Sequence, residues 1–236
     1  MSAIDYRRGA VWFVRAAAIA VFAGLLSVGA AAARAADLDF AAPPKEGGGG
    51  QCSDADKATI IDAYDTASMH VAEILERLKS QQSDDQSKLA AMQEKYFGLT
   101  YRKRTNKIIS IFEEIKRFAD GKDKVKIYCH ITQQAKVGAS CRENVRSGWL
   151  KPRNGETAEG ALFFCQAFFV SSPSNSKTKW GSLLHEMSHI AARTVDYESQ
   201  PTGIFALANR DDGLSAANAE TYRLFAEELI LTWPSN

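Results

Sequence analysis

Between residues 183 and 199 the chain reads LLHEMSHIAARTVDYES, which sets His185 and His189 one helical turn apart, Glu186 directly after the first, and Asp196 beyond both. On a helix of roughly 100° per residue the two histidines lie within about 40° of one another, with Glu186 beside them. Leu183, Met187 and Ile190 fall on the far side, so the polar and apolar faces separate. Two neutral imidazoles at this spacing can share a zinc ion, and the adjacent carboxylate is then free to take a proton from the water that the ion activates. The pattern predicts one Zn2+ and a hydrolytic reaction. The bland alternative is a chance match on a surface helix with both histidines solvated, and the periodicity and the nearby acids weigh against it. His70 and His130 have no spaced partner and read as structural.

A catalytic zinc takes a third protein ligand and keeps its fourth position open. A histidine in the H-E-x-x-H-x-x-G-x-x-H arrangement is excluded, because the required glycine and histidine positions hold Ala192 and Val195. Two options remain from the residues alone. One is Asp196; the other is a glutamate on the last helix, where NAETYRLFAEEL supplies Glu220, Glu227 and Glu228.

Taken together, HEMSH, TVDY and ANAETYRLFAEE resemble the aspzincin metalloendopeptidases, the family of deuterolysin and peptidyl-lysine metalloendopeptidase, in which HExxH is followed by GTxDxxYG. The likeness extends back to ALFFCQAFF and, more loosely, to the cysteine-bearing first helix, so it spans most of residues 52–236. It implies a zincin-like domain, His185, His189 and Asp196 as zinc ligands, Glu186 as the catalytic general base, and a protein or peptide as substrate. It also implies the disulfides Cys52–Cys129 and Cys141–Cys165.

Two residues depart from that pattern. Arg193 stands where the family has glycine, and Ser199 stands where it has the tyrosine held to hydrogen-bond the developing oxyanion. Losing one such donor costs about 10² to 10³ in rate, and Tyr197 and Tyr222 are the candidates to replace it. Lysine-selective members carry two acids on the last helix at positions matching Glu220 and Arg223; the first is acidic here and the second is reversed. Tyr197, Glu220, Tyr222 and Arg223 are therefore the candidate substrate-binding residues, and strict lysine specificity is not expected. Otherwise Glu220, Arg223 and Glu227 read as a solvated charge cluster on one helix face.

These residues need elements to hold them. Ile60, Tyr64, Ala67, Val71, Ile74 and Leu78 recur at helical spacing after Ser53, a capping residue, and predict an amphipathic helix of about seven turns. A second helical region begins near Lys88 and strengthens over Thr105 to Phe118. VKIYCHI and GALFFCQAFFV read as strands with loop between them, Trp180 to Ala192 as the metal helix, and Ser215 to Trp233 as the last helix. The expected fold class is α+β, predominantly helical with a small β-sheet and an HExxH helix at the active site.

Three arginines precede an alanine-rich apolar run that ends at Ala33-Arg34-Ala35, a small-x-small cleavage pattern, so residues 1–36 read as a cleaved signal peptide. DLDFAAPPKEGGGGQ, residues 37–51, reads as a flexible linker, and residues 52–236 as the metallopeptidase domain. The expected location is secreted or periplasmic. All four cysteines follow the leader, and an even count in an exported chain suggests disulfides. Without the leader, 25 basic residues face 27 acidic ones, because Arg7, Arg8, Arg15, Arg34 and Asp5 are lost. A net charge of −2 attracts neither nucleic acid nor an anionic membrane surface. The readings that compete with an active peptidase are a zinc-binding domain without catalysis and a zincin whose third ligand is a late glutamate.

Overall fold

Ser53 opens the first long helix, α1 (Asp54–Lys79), with a capping box: its hydroxyl accepts from the Asp56 amide at 3.2 Å, and its own amide donates to the Asp56 carboxylate at 2.9 Å. Ile60, Ala67, Val71 and Ile74 are fully buried along one face, as their spacing predicts. The computed structural model describes residues 38–41, 50–80, 83–102, 105–122, 125–130, 147–150, 161–170 and 178–233. The leader, most of the linker, and Cys141 with its expected bond to Cys165 lie outside the described residues.

After α1 come α2 (Ser83–Arg102), α3 (Thr105–Arg117) and a π-helical turn at Phe118–Lys122. Gly98 bends α2 at φ 77°, and a Cβ there would approach the Ala208 carbonyl oxygen to 2.6 Å, so the bend needs glycine. The helices enclose an aromatic core in which Phe97, Phe112, Tyr222 and Phe225 meet at ring-centroid distances of 5.1–6.0 Å.

A four-stranded sheet joins β1 (Asp39–Phe40), β2 (Lys126–Cys129), β3 (Ser147–Leu150) and β4 (Ala161–Phe164) in the order β1-β2-β4-β3. β1, β2 and β4 run parallel, and β3 is antiparallel to β4. β4 is buried along its whole length because it is an inner strand, which explains its unbroken apolar run. The run does not stay extended: at Cys165 it turns into the short helix α4 (Gln166–Phe169). Two stretches read as irregular contribute strands. Asp39–Phe40, in the expected linker, pairs with β2 while Leu38 and Phe40 pack on the core, and Ser147–Leu150 forms β3. The Cys52–Cys129 disulfide is present, tying the start of α1 to the end of β2 across 77 residues. Closing a loop of that length is worth about 4 kcal/mol in the chain-entropy picture.

The remaining helices are α5 (Lys179–Ala192), α6 (Pro201–Arg210), α7 (Asp212–Ala216) and α8 (Ala219–Thr232). The single helix expected from Ser215 is two, broken at Ala217–Asn218, and α6 was not anticipated. α5 packs against α1, α3 and α8, with Leu183, Leu184 and Met187 fully buried. The metal helix is thus held on several sides by other helices. Among the described residues no helix is long and apolar enough to cross a membrane.

Candidate metal centre

Thr178 starts α5 by accepting from the Gly181 amide at 2.9 Å, and HEMSH occupies the middle of the helix. The helix ends at Arg193, whose φ of 56° and ψ of 34° are left-handed. Arginine here occupies the conformation that usually selects glycine. The turn is completed by the Thr194 amide donating to the Ser188 carbonyl, while the Ser188 and Thr194 hydroxyls hydrogen-bond at 2.7 Å. This reversal sends the chain back past the two histidines, so Asp196 reaches them without a glycine in the turn.

The donor atoms converge. Nε2 of His185 lies 3.2 Å from Nε2 of His189, and Oδ1 of Asp196 lies 3.1 Å from the first and 3.4 Å from the second. A tetrahedral zinc with bonds of about 2.0 Å holds its ligand atoms about 3.3 Å apart. The three donors therefore fit that ion. Among the described residues, this is the one group of three potential metal ligands with donor atoms within 4.8 Å of one another.

Each imidazole is fixed from behind. Nδ1 of His189 lies 2.7 Å from the Thr194 carbonyl oxygen, and Nδ1 of His185 lies 3.0 Å from Oε2 of Glu220. Acceptors at both Nδ1 positions call for the proton there and leave each Nε2 lone pair directed at the shared point. Without an ion, burial would lower the His185 pKa, but hydrogen bonds to Asp196 and Glu220 and the charges of Glu186 and Asp196 outweigh it and raise it to about 9, so a metal binds at Nε2 by displacing a proton. Desolvation would raise the Asp196 carboxyl, yet hydrogen bonds from His185 and His189 and their charge hold it well below the ordinary carboxylate range. The centre is built to attract a cation. Glu186 is buried at 6% exposure, within electrostatic reach of His185.

The residues expected to contact substrate divide sharply. Tyr197 is 52% exposed beside Asp196, whereas Glu220, Tyr222 and Arg223 are buried. The Tyr222 hydroxyl donates to the Ala216 carbonyl at 2.8 Å inside the aromatic core. Arg223 grips Glu220 with two hydrogen bonds, at 2.8 and 2.7 Å, and also donates to Glu227. Glu227 in turn accepts from the Thr178 amide at 3.1 Å and its hydroxyl at 2.6 Å. The three charges on this face are not a solvated cluster; they form a buried chain from His185 to the N-cap of α5. Gly181 lets that chain close, since a Cβ there would come within 2.1 Å of a Glu227 carboxylate oxygen. Of the late glutamates, Glu220 stands behind His185, Glu227 is held by Arg223 and Thr178, and Glu228 pairs with Lys95 at 2.5 Å and with Tyr96. None of the three shares the point on which His185, His189 and Asp196 converge.

The family described as lysine-specific metallo-endopeptidase, the aspzincins, matches residues 80–227, well over half of the chain. The chain belongs to the aspzincin family. A peptidyl-Lys metalloendopeptidase from Armillaria mellea is 31% identical over 70 residues, which cover 29% of this chain and 20% of that protein. The aspzincin fold is shared with a zinc peptidase from Grifola frondosa, at a TM-score of 0.55 and 19% identity, over 75% of this chain and 97% of that one.

The sequence reading missed Asn218, Thr194 and Thr178. Asn218 and Thr178 carry a signal, since each directly precedes a helical run as capping residues do. What the sequence does not carry is that both also face partners outside their own helices.

Proposed function

We propose that this aspzincin is an exported zinc metalloendopeptidase that hydrolyses internal peptide bonds at a single-zinc centre held by His185, His189 and Asp196. One observation carries the reading: three donor atoms 3.1–3.4 Å apart, with both imidazoles fixed through Nδ1. When bound, zinc supplies Lewis acidity, polarising the scissile carbonyl and acidifying water. Glu186 takes the proton from the attacking water as its oxygen bonds to the carbonyl carbon, then passes that proton to the leaving amine as the C–N bond breaks. Export follows from the leader at residues 1–36, with the mature domain from residue 52 onward; an N-terminus near Ala36 or Asp37 in the processed protein is the check.

Strict lysine preference is not part of the proposal. A lysine side chain needs an acid that lacks a cation, and Arg223 already binds Glu220 and Glu227. The test is to incubate the zinc-loaded protein with a mixture of unfolded proteins and map new termini by mass spectrometry beside Glu186→Gln. Cleavage that vanishes in the variant, with no confinement to lysine, is expected. A folded, zinc-bound protein that cleaves nothing would favour the non-catalytic zinc domain, a reading that gains from Ser199 and from the internal engagement of the Tyr222 hydroxyl.

A further inference from the structure

Asn218 is the N-cap of α8, a position whose side chain ordinarily accepts from its own helix's amides. Here it does not: no side-chain capping bond is made. Its Oδ1 instead accepts from the amides of Tyr197 at 2.8 Å and Glu198 at 3.1 Å, while Nδ2 donates to the Glu198 carbonyl and the Thr221 hydroxyl, each at 3.1 Å. Asn218 is fully buried, with these four bonds meeting the main hydrogen-bonding capacity of its amide. On the other side of the loop, Val195 donates to the Ala217 carbonyl at 2.9 Å and accepts from the Ala219 amide at 3.0 Å. Asp196 is thus clasped between two anchored neighbours, although its own side chain is 62% exposed.

Exposure matters because His185 and His189 ride on a packed helix, whereas Asp196 stands on a segment with no regular structure. Two residues further along α8, Glu220 fixes His185. The three-residue segment Asn218–Glu220 therefore spans both parts of the centre. Local capping has been given up in favour of a bond across the fold, the kind of local conflict expected at a functional site.

We infer that Asn218 is a positioning residue for the metal, fixing the backbone on either side of Asp196 so that its carboxylate stays where His185 and His189 can share an ion with it. The inference rests on the proposed zinc centre. Its test measures zinc affinity by chelator competition, and the visible spectrum of the cobalt-substituted protein, for the wild type, Asp196→Ala, Asn218→Ala, Asn218→Ser and Asn218→Asp. Serine can cap α8 but is too short to hold the 197–198 amides; aspartate keeps the acceptor for both amides but loses both donors and sets a buried charge against the Glu198 carbonyl.

Asp196→Ala is expected to weaken zinc binding most strongly. Asn218→Ala and Asn218→Ser should each weaken it about 10- to 100-fold and shift the cobalt bands, while Asn218→Asp, which keeps the acceptor alone, falls between them and the wild type. Unchanged affinity in Asp196→Ala would sink the zinc centre itself. A weakened Asp196→Ala beside an Asn218→Ser that matches the wild type would overturn the role of Asn218 alone. Should the Asn218 variants fail to fold, amide exchange in the wild type decides: Tyr197 and Glu198 amides protected well beyond an open loop support the clasp, and unprotected ones refute it.

Discussion

Oε2 of Glu220 lies 3.0 Å from Nδ1 of His185, on the opposite side of the ring from the nitrogen that faces Asp196. The acid on the last helix is therefore one step removed from the point where the three donors converge, and it fixes the proton of His185 at Nδ1. Glu220→Gln keeps an acceptor but loses the charge and cannot serve His185 and Arg223 equally. Zinc affinity by chelator competition should fall about 10- to 100-fold. Affinity equal to the wild type would mean that His185 needs no carboxylate behind it.

Arg223 joins Glu220 to Glu227 with its side chain only 3% exposed. Such a group adds little stability by being present, since desolvation offsets attraction, but removing one member strands the others. Arg223→Met should cost about 3–5 kcal/mol in urea denaturation, because two carboxylates lose their shared cation. A loss below about 1 kcal/mol would place those carboxylates in contact with water instead.

Arg193 holds the turn into Asp196 with a left-handed backbone and an exposed side chain. A non-glycine residue in that region costs about 1–2 kcal/mol, part of which glycine returns through the greater entropy of its unfolded chain. Arg193→Gly should stabilise the protein by about 1 kcal/mol without lowering zinc affinity. A lower melting temperature would show that the arginine side chain contributes something the backbone does not reveal.

Asp56 supplies the pH dependence least entangled with the metal. Burial would raise its pKa, but hydrogen bonds from the Ser53 and His130 side chains and the Ser53 amide, with the charge of His130, hold it below the ordinary carboxylate value. A depressed folded pKa adds stability that is complete above the unfolded value near 4 and is lost as pH falls through the folded value. Asp56→Asn should cost about 1 kcal/mol at neutral pH and flatten the loss of stability below about pH 4. An acid limb identical to that of the wild type would show that Asp56 is not among the groups responsible.

Legibility followed periodicity. The apolar faces of α1, α3 and α5 could be read because Ile60, Ile108 and Leu183 each begin a pattern at helical spacing, and burial against neighbouring helices is what such patterns encode. The α7–α8 break at Ala217–Asn218 went unread although a capping residue type stands there, and the partner its side chain takes, the 197–198 loop, is not displayed by the neighbouring sequence. Glu220, Arg223 and Glu227 read as solvated because charge normally seeks water; only the packing of α8 on α5 shows them satisfying one another. β1 escaped because two residues cannot establish an alternation, and β3 because Ser147 and Gly148 in SGWL are residue types depleted in strands. Asp196 was reachable by family resemblance, and the left-handed turn at Arg193 is the physical reason that so short a connection brings it back to the histidines.

The most direct test of the account strips the protein with a chelator and back-titrates it with Zn2+, following bound metal and peptide cleavage together in the wild type and in Glu186→Gln. Cleavage in the wild type should rise in proportion to bound zinc and level off at one ion per chain, with Glu186→Gln binding the same ion and cleaving nothing. Cleavage that persists in the stripped protein, or that survives in Glu186→Gln, would contradict it.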